Sequence, residues 1–396
     1  MKSVMDNIRK NYIFRFLIGT GFSDAIWLLY LASRGMNLVQ IGILEAIFHI
    51  ANMLCEVPTG YIADRFGRKT SRLLGRAAAF ISSIVMISGS NFWHFALGIV
   101  FTSLSYNLES GAGDALIYDS MVECGQEDGY MKVRGRQEIC YQAARLVSLI
   151  GGGLIATYSY VLAYIITAAI HLASFLFSFS FREPDVGRTQ GRIKFFGHIV
   201  DSFRVVWEHK GIIKYIFYIE GFSLFWTTLF FYFQNFLKSK GYIEFQIGLV
   251  LAASAVAGLL ASTVAYRIEK RLGERKLILT ATPIAILLFS MIAFTNMESL
   301  ALILLSGMEA ILFVVFSDYI NRQIPSRQRA TILSFESMAF SVMMIAFFPA
   351  VGAISEHLGF KTAFTFITGL ALVLMTISTI LMLKDKRVEK EPEQSG

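Results

Sequence analysis

The chain has 396 residues, of which 55% are apolar and only 16% charged, and its mean hydropathy is +0.56. That balance excludes a water-soluble globular domain and places the protein in a bilayer. The net charge of +7 does not indicate a nucleic-acid partner, because Lys and Arg fall in short stretches between apolar runs rather than on one face of a soluble fold.

Apolar runs of about 20 residues, the length that crosses a bilayer, predict six spanning helices near 11–33, 39–59, 73–91, 93–118, 137–158 and 160–181. A second set of six follows near 212–237, 244–266, 277–296, 298–320, 329–354 and 361–383. The fold class expected is therefore an all-α membrane protein of twelve transmembrane helices. Its domains are an N-terminal six-helix bundle over 1–181, a cytoplasmic linker over 182–211, a C-terminal six-helix bundle over 212–383 and a cytoplasmic tail over 384–396. Lys2, Arg9 and Lys10 precede the first apolar run, but no small-residue cleavage site follows, so the run reads as an uncleaved first helix. In the linker, Phe196, Ile199, Val200, Phe203, Val206 and Trp207 recur at helical spacing. This is the pattern of an amphipathic helix on the membrane surface or of a rigid linker.

Orientation follows from the basic residues. With the N-terminus inside, most of them lie in the N-terminal segment, the even-to-odd loops, the linker and the tail, and only Arg34, Lys238, Lys240 and Lys361 face outward. Both termini are thus expected in the cytoplasm.

The polar, basic run GYIADRFGRK, Gly60 to Lys69, lies between the second and third apolar runs and is expected to form a tight loop on one membrane face. Gly60 and Gly67 would permit close packing and positive φ, Asp64 would dock on a helix N-terminus or an Arg, and Arg65, Arg68 and Lys69 would hold the anionic inner leaflet. This run resembles the signature loop between helices 2 and 3 of the major facilitator superfamily of secondary transporters. The resemblance implies two pseudo-symmetric bundles around a central cavity lined by helices 1, 2, 4, 5, 7, 8, 10 and 11. It also implies a gating role for Gly60, Asp64, Arg65, Gly67, Arg68 and Asp119. The chain departs from the drug/proton antiporter branch in two places. Asn107 stands where an Arg would precede Gly111, and Gly151 to Gly153 occur without the proline of the exporters' helix 5.

The halves also repeat. Gly35, Gln40, Gly42, Arg65 and Gly67 have counterparts at Gly241, Gln246, Gly248, Arg271 and Gly273, a common shift of about 206 positions.

Ionisable groups inside the membrane are costly unless paired or hydrated, which makes them functional candidates. They are Asp24, Glu45, Glu56, Glu109, Asp114 and Arg145 in the first half, and Lys214, Glu220, Glu309, Asp318 and Glu336 in the second. The expected substrate or proton set is Asp24, Glu109, Asp114, Arg145, Glu220, Glu309 and Glu336, and almost no charge falls on the outer helices 3, 6, 9 and 12. Counting rise per residue puts Asp114 and Arg145 at one level, so Arg145 is expected to pair with an acid of helix 4, either to set packing or to serve transport. Asp114 shares a face with Asn107 and Tyr118, whereas Glu109 lies about 140° away, so only one of the two acids should point into the cavity. Trp27, Tyr106, Asn107 and Trp226 are expected to line it, and His49 to be a packed polar residue. Asp119 and Glu123 are expected to latch onto Arg65 or Arg68.

These features point to proton-coupled efflux of an amphiphilic or cationic small molecule or short peptide, by a monomer in the cell membrane. The alternatives are an importer or facilitator of a neutral solute such as a sugar, and a non-transporting receptor or scaffold. No P-loop, metal-ligand cluster or catalytic Ser/His set occurs, so no cofactor, metal or enzymatic activity is expected.

Overall fold

The computed structural model describes residues 2–185, 210–324 and 329–384. The linker residues from Phe196 to Trp207 and the tail beyond Lys384 lie outside this range. Two compact units emerge: Met1–Ile193 with Leu237–Leu249, and Lys194–Phe236 with Val250–Gly396.

Every regular element among the described residues is helical. The first half carries α1 (Lys2–Gly19), α2 (Trp27–Ser33), α3 (Leu38–Phe66), α4 (Arg68–Ser88), α5 (Phe92–Glu109), α6 (Ala112–Glu123), α7 (Tyr130–Tyr158) and α8 (Tyr160–Ser178). The second half carries α9 (Lys210–Ser239), α10 (Glu244–Phe294), α11 (Glu298–Gln323), α12 (Arg329–Leu358) and α13 (Phe360–Leu383). Nine helices among the described residues are long and apolar enough to cross a membrane. The 51-residue α10 supplies two spans across a break at Gly273, and α1/α2 and α5/α6 are each one span broken in its middle. The twelve expected spans are thereby accounted for.

The two broken spans differ from the continuous helices expected at 11–33 and 93–118. Breaking a helix at membrane depth frees backbone groups that need partners. Between α1 and α2, Asp24 N bonds Gly21 O at 3.0 Å and Ile26 N bonds Ser23 O at 3.1 Å. Neighbouring helices complete the turn: Ser23 N donates to Thr167 Oγ1 on α8 at 3.1 Å, and Ser148 Oγ on α7 donates to Gly19 O at 3.1 Å. Gly151 and Gly152 of α7 pack here, since Cβ atoms on them would fall 2.6 Å from the Phe22 ring and 2.3 Å from Phe22 O. Between α5 and α6 the break is confined to Ser110 and Gly111.

The loop expected at Gly60–Lys69 is also corrected. Helix α3 runs on to Phe66 and α4 starts at Arg68, so the connection is the single residue Gly67, at φ 101°. With 29 residues α3 is longer than a bilayer requires, and its polar end emerges still helical. Gly60 neither adopts positive φ nor packs closely, for a Cβ there would meet nothing within 4 Å.

The repeat reappears in the backbone. Gly273 in α10 matches Gly67, with φ 68° against 101°. Earlier in each half, Gly35 and Gly241 have φ 85° and 90°. Met36 N reaches Leu31 O as Tyr242 N reaches Leu237 O, both at 3.1 Å. Asn37 then caps α3 in a reciprocal box with Gln40, and Gln246 likewise accepts from Ile243 N at 3.1 Å. Two stretches of unlike sequence thus fold by the same local rules.

Candidate functional site

The first unit encloses a polar cavity of about 440 Å³. Seven charged side chains line it: Arg15, Asp24, Arg76, Glu109, Asp114, Arg134 and Glu138. Ser82, Thr102, Ser105, Tyr106, Tyr141 and His171 supply further polar groups.

Four of the seven charges are already matched. Arg134 Nη1 lies 2.5 Å from Asp114 Oδ1, and Arg15 Nη2 lies 3.3 Å from Glu138 Oε2. Glu109 is half matched. Its Oε1 accepts from Arg72 Nη2 at 3.0 Å, while the buried Oε2 has no hydrogen-bond partner. Arg72 is 1% exposed, gives a second bond to Asn11 Oδ1 at 2.8 Å, and packs over the Phe14 and Phe181 rings, 4.3 and 4.7 Å from their centroids. Such an aromatic corner suits a guanidinium, which is flat and weakly hydrated and tolerates aromatic contact. Gly113 makes the pair possible, because a Cβ there would sit 2.5 Å from Glu109 Oε1 and 2.7 Å from Arg72 Nη2.

The expected pairing of Arg145 with a helix 4 acid is not what forms. Asp114 takes Arg134 and Glu109 takes Arg72. The reason is length: α7 begins at Tyr130 rather than near 137, which brings Arg134 level with Asp114, while Arg145 lies exposed further along. Both helix 4 acids, Glu109 and Asp114, line this cavity of the first unit. The break at Ser110–Gly111 resets the angular relation that a continuous helix would impose. Of the expected lining residues in this unit, Tyr106 faces the cavity, whereas Asn107 turns to α3 and donates to Asn52 O at 3.1 Å. Trp27 opens α2 and is half-buried. His49 is packed beside Glu45, its Nε2 3.5 Å from Glu45 Oε1.

Sequence reasoning missed Arg72 and Arg76. A helix drawn from residue 73 cut Arg72 off, and the third span, taken as an outer helix, was expected to carry almost no charge. The signal was present: two arginines four apart on one face of an apolar run, with Gly75 between them. His171 was missed as well; its Nδ1 lies 2.9 Å from Ser83 Oγ and 3.1 Å from Ala79 O.

At the end of this unit marked by Gly67, Arg68 Nη1 binds Asp64 Oδ1 at 2.8 Å, and its Nε lies 3.8 Å from Asp119 Oδ2. Asp64 thus docks on Arg68, and Asp119 reaches the same guanidinium. Arg65 instead lies over the Tyr61 and Phe66 rings, 5.7 and 5.6 Å from their centroids, and bonds the Tyr61 hydroxyl. Glu123 accepts from Asp185 N at 2.7 Å rather than from an arginine. Glu183 caps α4: its two oxygens accept from Arg68 N at 2.6 Å and Lys69 N at 2.7 Å. Gly67 leaves room for that carboxylate, which a Cβ would meet at 2.6 Å.

The second unit holds a different cluster. Glu220 on α9 and Glu336 on α12 bring their carboxyl groups within reach of each other, and the charge of Glu309 on α11 acts on Glu220. Trp226 stacks on Phe230 at 5.3 Å and donates from Nε1 to Ser306 Oγ at 3.1 Å.

Comparison with known proteins bears on the family and the fold. The family model described as Major Facilitator Superfamily matches residues 11–298 and 222–396. The chain is 25% identical over 394 residues, 96% of each chain, to an uncharacterized MFS-type transporter, YxaM, of Bacillus subtilis (strain 168). Among solved structures it resembles the nucleoside transporter NupG, with a TM-score of 0.77 at 16% identity over 98% of this chain and 100% of that one. It also resembles a D-xylose-proton symporter, with a TM-score of 0.69 at 13% identity over 95% and 96% of the two chains. At such identities the structural likeness is one of fold.

Proposed function

This chain belongs to the major facilitator superfamily, and we propose that it is a proton-coupled secondary transporter that expels an amphiphilic small molecule or short peptide bearing a cationic group. The observation that carries the reading is the juxtaposition of the Glu220 and Glu336 carboxyl groups, close enough to share a hydrogen bond. Ionised carboxylates only accept, so two of them share a hydrogen bond only when one holds a proton. A proton so held on α9 and α12, with a third carboxylate near, is released when the pair separates and water enters. The acids it leaves behind then attract a cation. Competition of proton and cargo for the same negative charge couples their movements without any covalent step.

In this reading the protein works by alternating access as a monomer in the cell membrane, with both termini cytoplasmic and the Asp64–Arg68–Asp119 cluster steadying the cytoplasmic end of the first bundle. The test uses proteoliposomes carrying the full chain and an internal pH dye. A panel of lipophilic amines, quaternary ammonium ions and short peptides is offered with and without a pH gradient. Export that accelerates with the gradient and acidifies the source compartment is expected, and Glu220→Gln with Glu336→Gln should remove the acceleration. Solute movement indifferent to the gradient would overturn proton coupling.

A further inference from the structure

After Asp114–Arg134 and Arg15–Glu138 are paired off, the first unit's cavity retains three charges with unused capacity. Arg76 is 6% exposed; its Nη2 donates to the neutral Ser105 Oγ at 2.9 Å and its buried Nε has no partner. Glu109, with its side chain 10% exposed, keeps a buried Oε2 that nothing contacts by hydrogen bond. Asp24 receives only a long bond of 3.4 Å from the hydroxyl of the adjacent Ser23.

A buried guanidinium and a buried carboxylate in one cavity are costly when unsatisfied, and the exposed Asp24, on which the charge of Arg145 also acts, adds to the negative side of the wall. Among the described residues Arg76 forms no ion pair with either acid. The fold holds opposite charges apart, Arg76 on α4, Asp24 in the turn after α1 and Glu109 at the end of α5, with the cavity in reach of all three. A purely cationic ligand would satisfy the acids and leave Arg76 as it is. An anion would do the reverse.

We propose that this cavity binds a small zwitterion, its ammonium group facing the Glu109 and Asp24 carboxylates and its carboxylate facing the Arg76 guanidinium. The inference rests on the reading of the chain as a transporter of charged small molecules and narrows the cargo to molecules carrying both signs. A ligand with both ends would meet the positive and the negative parts of the wall at once. The hydroxyls of Ser82, Thr102 and Ser105 offer further bonds to its polar middle.

The test is equilibrium binding to the purified full chain in detergent, by calorimetry and thermal shift, with three matched probes: dialanine, its N-acetyl derivative and its C-terminal amide. Dialanine should bind, and blocking either end should weaken binding by about tenfold or more. Arg76→Gln should make dialanine and its amide equivalent while keeping the preference for a free amine, and Asp24→Asn, which leaves the Arg72–Glu109 pair intact, should reduce the amine preference. Should Arg76→Gln not fold, Arg76→Lys serves in its place and should keep the preference for a free carboxylate. Amide bound as well as dialanine, no binding of any probe, or unchanged discrimination in the folded variants would each overturn the proposal. Because no gradient is involved, a failure of proton coupling would leave these affinities untouched, and a failure here would leave the gradient assay standing.

Discussion

Arg72 and Glu109 meet at 3.0 Å with the arginine almost wholly removed from solvent, so that each holds the other's charge inside the first unit. Removing one member of such a pair strands the other. Arg72→Ala should cost about 3–5 kcal/mol of stability, the range typical of a broken buried pair. Arg72→Met combined with Glu109→Leu should recover much of that loss, because neither charge remains. Unfolding of the three proteins in one detergent checks this; a double variant less stable than Arg72→Ala would show that the pair is not a unit.

Gly67 and Gly273 occupy equivalent places in the two halves but differ in surroundings. Both have positive φ, so alanine at either strains the backbone by about 1–3 kcal/mol. At Gly67 the new Cβ would also lie 2.6 Å from the Glu183 carboxyl, whereas at Gly273 it would meet nothing within 4 Å. Gly67→Ala should therefore lower the unfolding temperature clearly more than Gly273→Ala. Equal shifts would mean that Glu183 yields without cost.

The number of spans and the repeat were legible in the sequence because bilayer thickness and glycine conformation act locally. The position of the loops was less so. Asp64 and Arg65 read as a loop by polarity, yet polarity reports only that a residue has left hydrocarbon, and α3 leaves it while still helical. The site was half legible. Asp24, Glu109 and Asp114 stood out as acids in apolar runs, but their partners depended on two features that no hydropathy pattern carries. These are the break at Ser110–Gly111 and the start of α7 at Tyr130. Both turn on single residues in a tertiary setting, as does Glu183, which lies beyond the end of its helix and reaches back to cap another.

That cap gives a further expectation. The Glu183 carboxylate satisfies two free N–H groups at the start of α4 and sits at the positive end of the helix dipole. Glu183→Ala should destabilise the protein by roughly 1–2 kcal/mol, and Glu183→Gln by less, since one amide oxygen can still accept. Amide exchange at Arg68 and Lys69 should quicken in the alanine variant. Unchanged exchange there would place the cap's role elsewhere.

The carboxyl pair of the second unit separates stability from coupling. In Glu220→Gln the side-chain amide can donate to the adjacent Glu336 carboxylate, so a link between α9 and α12 remains without a removable proton. The variant should therefore purify with the same helical content and unfolding temperature as the parent. Gradient-driven transport, in contrast, should fall by an order of magnitude or more, while exchange of cargo at equal pH on both sides persists. Glu220→Leu removes the link as well and should lose stability together with transport. If Glu220→Gln kept full gradient-driven transport, the proton would have to ride elsewhere, and the acids of the first unit would be the place to look.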